Sequence, residues 1–273
     1  MVDLLEKNGH TVEVYRCGNR IHLPYRGHRA TYFIKHCIIV EWVDEQAYKV
    51  IDLGDPANTS YMFSKEFVRS PNCIQVFKAQ YNNEFLKDVD KIRPFYYWPR
   101  YHHILEKHIG KLRQNKRKRR QMLFRGDFAH GRWNTVKKLY RSGALAQSPL
   151  YAKVNPKKYY YEMSSHKVVL SLPGGGQNCH REIEAFGIGT PVIMPEQRNE
   201  YATPLVPNVH YISVPNDRHR ATRIMRRYYR VIDDDKFLTE VAINAMKWYD
   251  KYARLPHATR VMLQMLGFEI KNV

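Results

Sequence analysis

The residues best equipped for chemistry lie in the run PGGGQNCHREIE, from Pro173 to Glu184. Gly174, Gly175 and Gly176 admit positive φ and put no Cβ between the main chain and a ligand. Asn178 is of a type that caps a helix, and a helix is expected from His180 to Gly187, with Ile183 and Phe186 on its buried side. A glycine turn running into a helix N-terminus suits an anion, because free N–H groups and the helix dipole point at it. Arg181 then falls in the first turn beside that anion. Glu184, three residues on, shares its face, where a carboxylate suits a hydroxyl-rich group such as a ribose. Competing readings stay open: a flexible turn for the glycines, an Arg181–Glu184 ion pair, and structural roles for His180 and His210.

The elements that must position these residues are a strand before the turn and another after the helix. His166 to Leu172 (HKVVLSL) is a short apolar run of the kind buried in a parallel sheet, and Pro191-Val-Ile-Met opens the next strand. Upstream, Gln121 to Phe124 begins a second α/β unit, followed by a helix over Trp133 to Ser142. Downstream come a strand ending at Val214, a basic helix over Asp217 to Ile232, and helices over Asp235 to Tyr252 and His257 to Leu266. In the first half, Ile38 to Val43, Tyr48 to Leu53 and Cys73 to Phe77 read as strands and Tyr101 to Leu112 as a helix, which together imply a mostly parallel α/β layer.

Three segments in order carry a resemblance: MLFRGDFAHGR (Met122 to Arg132), the stretch S-x-x-x-x-L-x-x-x-G-G followed by R-x-x-E-A-x-x-x-G-T-P-V-I, and LVPNVHYISV (Leu205 to Val214). They resemble the donor-binding half of GT-B glycosyltransferases, and within these the exostosin-like enzymes and the capsule-associated xylosyltransferase and protein O-glucosyltransferase family. The compact form is similar to that of capsid-glycan enzymes of large algal viruses. The resemblance implies two Rossmann-like domains with a cleft between them. It places an acceptor domain at 1–115, a nucleotide-sugar domain at 116–235, and terminal helices at 236–273 crossing back to the first domain. It also implies transfer of a sugar from a UDP-sugar, xylose ahead of glucose, to a carbohydrate acceptor with inversion. On that reading Arg125, Gly126, Arg132, Pro173, Gly174, Gly175, Gly176, His180, Arg181 and Glu184 line the donor site.

A diphosphate leaving group needs positive charge, from a metal or from arginines and helix N-termini. The two acidic clusters, Asp88-Val-Asp90 and Asp233-Asp-Asp235, read as solvated or capping residues rather than metal ligands. Arg125 and Arg181 suit a metal-free site, because a guanidinium fork matches phosphate oxygens. An ion pair is the rival reading for Arg125, and Arg132 either reaches the donor or caps the helix after it. No cofactor is then required beyond the donor substrate. The base for the acceptor hydroxyl is expected at Asp55, where a strand meets a proline-fixed turn. A turn-capping role is the alternative there, and Asp52, Glu84 and Asp127 follow.

The composition is that of a globular chain, with 44% hydrophobic and 13% aromatic residues, and no apolar run is long enough to span a membrane. The charged start and four widely spaced cysteines favour a cytoplasmic, reducing setting. A net charge of +19 exceeds what a diphosphate cleft requires and favours polyanions. The densest run, Lys111 to Arg120, reads as a helix end and linker, and no nucleic-acid motif accompanies it. The alternatives to the enzyme are therefore a basic nucleic-acid-binding protein and an inactive, lectin-like UDP-binding homologue.

Overall fold

The computed structural model describes residues 37–42, 47–52, 69, 71–82, 90–96, 98–115, 119–126, 132–146, 154–174, 177–197, 199–255 and 257–266. The chain is a mixed α/β protein with parallel sheets. By Cα packing it divides into two compact units, one made of Met1–Phe95 with Thr259–Val273 and the other of Tyr96–Ala258.

In the first unit a four-stranded sheet runs β1 (Cys37–Trp42), β2 (Ala47–Asp52), β3 (Cys73–Lys78), β4 (Ile92–Pro94), in that order. β2–β3 and β3–β4 are parallel, but β1–β2 is antiparallel. The mostly parallel layer expected here thus carries one antiparallel strand at its edge. Four residues separate β1 from β2, enough for a hairpin but far short of a parallel crossover. Val50, Ile51, Val76 and Ile92 are fully buried in the core of this sheet.

The second unit begins with α1 (His102–Arg113), α2 (Arg132–Arg141) and α3 (Pro156–Ser164). Its sheet is β5 (Val169–Leu170), β6 (Val192–Pro195) and β7 (Ile212–Val214), all parallel and in that order. The expected strand at 121–124 takes the form of single parallel bridges, Leu123 to Val169 and Met122 to Leu145. These carry the sheet two positions further, with Leu123 N–H bonding Val168 O at 3.0 Å and Met122 N–H bonding Ala144 O at 2.8 Å. Helices α4 (His180–Ile188), α5 (Arg220–Val231) and α6 (Asp235–Tyr252) follow, and α7 (His257–Leu266) belongs mostly to the first unit.

Strand alternation sorts the second unit's core into two layers. Val168, Leu170 and Leu172 join Val136 and Leu139 of α2 and Ile224 and Tyr228 of α5 in one hydrophobic cluster. Ser171 points the other way, toward α4, where its hydroxyl meets Glu182. On that side Trp248 of α6 meets Phe186 edge to face, with centroids 6.2 Å apart. Asp234 caps α6 through Phe237 N–H, and Asp235 pairs with Lys167, so the acidic cluster at 233–235 serves helix ends and surface pairs.

Two local features depart from expectation. The residues before His166 form α3, started by Asn155, whose side chain accepts Lys157 N–H at 2.9 Å, with Pro156 in the first turn. The N-cap of α4 is Cys179 rather than Asn178. Gly189 ends α4 in the left-handed region at φ 78°. Gly189→Ala should lower stability by roughly 1–2 kcal/mol, the left-handed penalty for a residue with a Cβ. Urea denaturation measures it, and an unchanged midpoint would remove Gly189 as the helix stop.

Candidate functional site

Glu182 sets the start of α4. It sits at the third helical position and reaches back to accept Cys179 N–H at 2.6 Å. It also accepts from Ser171 at 2.7 Å and from Gln197 at 3.1 Å. The side chain is fully buried, and burial raises its carboxyl above the ordinary range against the pull of these bonds. The glycine turn is thereby tied to β5 on one side and to the 197 segment on the other. The sequence reading passed over Glu182, although a glutamate three residues after a helix cap is the capping-box pattern.

Arg132 and Arg181 lie near this helix start, and Arg220 lies near Arg132. Arg132, the first residue of α2, donates through Nε to Pro173 O at 2.7 Å and through Nη2 to Leu172 O at 3.0 Å. Arg181 donates to Arg125 O through Nε at 3.0 Å and Nη2 at 2.6 Å, and its guanidinium lies 4.7 Å from the centre of the Phe124 ring. Arg220, the first residue of α5, touches Thr135 of α2 at 3.5 Å. The three share one neighbourhood. Burial raises the Cys179 thiol to about 12, while the charges of Arg181 and Arg132 both pull it down. Arg220 is pushed below its ordinary value by burial and by the charge of Arg132.

Two of these guanidiniums have a buried nitrogen without a hydrogen bond of good geometry among the described residues, Nη1 of Arg181 and Nε of Arg220, with the Tyr159 hydroxyl close to Arg181. Among the described residues neither arginine has a carboxylate within ion-pair distance. A buried, unmatched N–H on a charged group is costly to leave unmade. It is the arrangement expected where an anionic ligand completes the bonding.

Gly126 and Gly174 take on a specific meaning here. A Cβ on Gly126 would collide with Nη2 of Arg181, and one on Gly174 with Nη2 of Arg132. Both glycines make room for a guanidinium against the main chain. Gly175 and Gly176 lie outside the described residues.

The remaining expected residues are placed as follows. Arg125, expected at a phosphate, is locked to Glu162 by two bonds of 2.9 Å, the ion pair that was its rival reading. Its carbonyl, not its side chain, serves the site by holding Arg181. His180 bonds Trp98 O through Nδ1 at 2.7 Å. His210 accepts Val206 N–H at 2.8 Å. Asp55, Glu84 and Asp127 lie outside the described residues, and Asp52 ends β2.

Glu184 is 4% exposed, and its Oε1 accepts Arg100 N–H at 3.1 Å and the Tyr160 hydroxyl at 3.0 Å. Burial raises its carboxyl to about 7, against these two bonds and the nearby charge of Arg181. Arg220 is the site residue that the sequence reading did not single out. Its signal was available, because it is the one arginine of α5 that starts the helix and follows the strand end at Val214.

No family model matches the chain, and no curated protein matches it in sequence. Solved structures with a similar chain course include a glycosyltransferase from Rickettsia africae ESF-5, at 14% identity and TM-score 0.47, covering 81% of this chain and 69% of that one. Anabaena HepE in complex with UDP and glucose matches at 14% identity and TM-score 0.47, covering 72% and 64%. The sucrose-phosphate synthase of Thermosynechococcus elongatus matches at 14% identity and TM-score 0.48, covering 74% and 59%. The chain thus spans less than two thirds of the length of the last two. At these scores the likenesses do not bear on the choice of activity.

The position of Glu184 predicts a pH effect. Its proton is held more tightly in the folded than in the unfolded chain, so between about pH 4.5 and 7 the folded state binds the extra proton and Glu184's contribution to stability falls as pH rises. A shift of that size corresponds to roughly 3 kcal/mol at about 1.36 kcal/mol per unit. Glu184→Gln keeps an oxygen for both donors but cannot titrate. Denaturation across pH 5 to 8 should show wild type losing ground to the variant; parallel curves would contradict the assignment.

Proposed function

We propose that this chain is a glycosyltransferase of GT-B type that binds the diphosphate of a UDP-sugar against Arg132, Arg181 and Arg220. The observation that carries the reading is the pair of buried, unmatched N–H groups on Arg181, in the first turn of α4, and on Arg220, beside the Arg132 that is held against the Pro173–Gly174 turn. A diphosphate supplies several strong acceptor oxygens, and guanidinium groups bind them by charge-assisted bonds. Fixed positive charge at that place also stabilises a departing nucleoside diphosphate without requiring a metal ion.

The rest of the proposal follows from the motif resemblance together with this geometry. Glu184 follows Arg181 by three residues on the same helix and takes the ribose hydroxyls. Xylose is favoured as the donor sugar, glucose next, and the acceptor is a carbohydrate. The reaction inverts, with Asp55 taking the acceptor proton. Arg125 drops out of the diphosphate set, because Glu162 already neutralises it. Arg220 replaces it.

Calorimetry with UDP separates a ligand-binding arginine from a structural one. Arg220→Met should weaken UDP about 10- to 100-fold, since a hydrogen bond to a charged group is worth about 1.5–3 kcal/mol. The ligand-free variant should be at least as stable as wild type, because a poorly matched, half-buried charge has been removed. Unchanged UDP affinity would sink the assignment. A UDP-sugar hydrolysis screen with and without EDTA then tests the chemistry, and manganese-dependent rescue after EDTA would overturn the metal-free mechanism.

Asp55→Asn tests the base. UDP binding should stay near wild type while turnover falls about 10²- to 10⁴-fold, the usual effect of removing a general base. A variant retaining more than about a tenth of wild-type turnover would transfer the role to Asp52, Glu84 or Asp127.

A further inference from the structure

The diphosphate site uses Arg132 and Arg220 and leaves the other basic residues of α2 and α5 unaccounted for. α2 reads RWNTVKKLYR and α5 reads RATRIMRRYYRV, with four and five basic residues and no acidic one. The two helices lie side by side. Lys138 Nζ bonds the Thr222 hydroxyl at 2.8 Å, the Tyr229 hydroxyl bonds Ser142 O at 2.9 Å, and Val136 and Leu139 share a core with Ile224 and Tyr228.

Outward, the pair carries cations interleaved with aromatic rings. Lys137, Arg141, Arg226 and Arg230 are exposed, and none makes an ion pair among the described residues. Trp133, Tyr140 and Tyr229 are 42%, 39% and 52% exposed, unusually high for rings of that size. Lys137 Nζ lies 5.7 Å from the centre of the Trp133 ring.

The turn before β7 adds aliphatic surface beside α5. Val206 and Val209 are 46% and 39% exposed. The turn is rigidly built, since Val206 O accepts the amides of both Val209 and His210, and Asn208 sits at φ 59°. Arg227 Nη2 bonds Asn208 Oδ1 at 2.9 Å, which fastens this apolar turn to the basic helix.

We infer that the outer face of α2 and α5, with the Val206–Val209 turn, is a docking surface for a membrane leaflet rich in anionic phospholipid. Charge complementarity selects an anionic partner, with each Lys or Arg near such a surface contributing about 1 kcal/mol of attraction. The apolar residues select the membrane over a nucleic acid. Tryptophan and tyrosine settle at the headgroup boundary, and exposed valines gain by entering the acyl region. A single-stranded nucleic acid offers base faces that would use the rings but leave the valines in water. No helix among the described residues is long and apolar enough to cross a membrane, so the contact is peripheral.

The test is sedimentation of the full chain with vesicles of phosphatidylcholine alone or with about 30% phosphatidylserine, a composition giving a strongly negative surface. Binding should be at least tenfold tighter to the anionic vesicles. Arg226→Glu with Arg230→Glu should remove at least tenfold of that affinity. Trp133→Ser with Val206→Ser, which leaves the charge unchanged, should weaken it severalfold. Lys157→Glu with Lys158→Glu, on the exposed side of α3, matches the first variant in charge and should bind nearly as wild type. Equal losses in the α3 and α5 variants would overturn the proposal by showing a response to net charge alone. So would affinity for a single-stranded oligonucleotide, lost in the α5 variant, with no binding to vesicles. Thermal midpoints confirm that each variant is folded.

Discussion

Buried positive charge without a matching carboxylate is the constraint on which the second unit's site depends. Desolvating a guanidinium costs several kcal/mol even after relaxation. At this site the main chain answers only part of that cost. Arg132 is held by the carbonyls of Leu172 and Pro173, and Arg181 by that of Arg125. Those bonds require close approach to the backbone, which is why Gly126 and Gly174 stand where they do. They also fix the turn in front of α4, while Glu182 is spent on the helix start and on Ser171, and does not pair with an arginine.

Elsewhere in the same unit, arginines are matched conventionally. Arg113 meets Asp250 with bonds of 3.0 and 2.8 Å, Arg254 meets Glu106 at 2.9 Å, and Arg125 meets Glu162. These pairs tie α1 to α6 and brace the turn after 124. The chain thus gives ion-pair partners to arginines that hold elements together, whereas Arg181 and Arg220 make no ion pair among the described residues, Glu182 and Glu184 acting on Arg181 only at longer range. That contrast is what the proposed anion site rests on, because groups with perturbed charge and unmet hydrogen bonds concentrate at binding sites.

Much of the fold was legible from periodicity. The bounds of α6 and α7 match the amphipathic segments expected at 235–252 and 257–266, since each has a clear apolar stripe and a clear stop. β6 and the helix after the glycine turn were equally clear. α3 was not, because three consecutive tyrosines obscure a helical stripe and the Asn155-Pro156 start was overlooked. The antiparallel β1–β2 pair was not singled out within the mostly parallel layer expected there, although its short link dictated a hairpin. In the proposed site, the types and spacing of Arg181 and Glu184 pointed to α4. Sequence spacing could not show that Glu162 neutralises Arg125, nor that Arg220 comes to lie beside Arg132. Both contacts join residues far apart in the chain, and only the folding of α3 and α5 against the sheet creates them.

The central claim, that the unmatched arginine nitrogens receive a diphosphate, is tested most directly by a crystal structure of the protein with UDP. Phosphate oxygens should lie within hydrogen-bond distance of Nη1 of Arg181 and Nε of Arg220, with the Arg125–Glu162 pair intact. UDP bound elsewhere, or at Arg125 after its release from Glu162 with Arg181 and Arg220 still unmatched, would contradict the account.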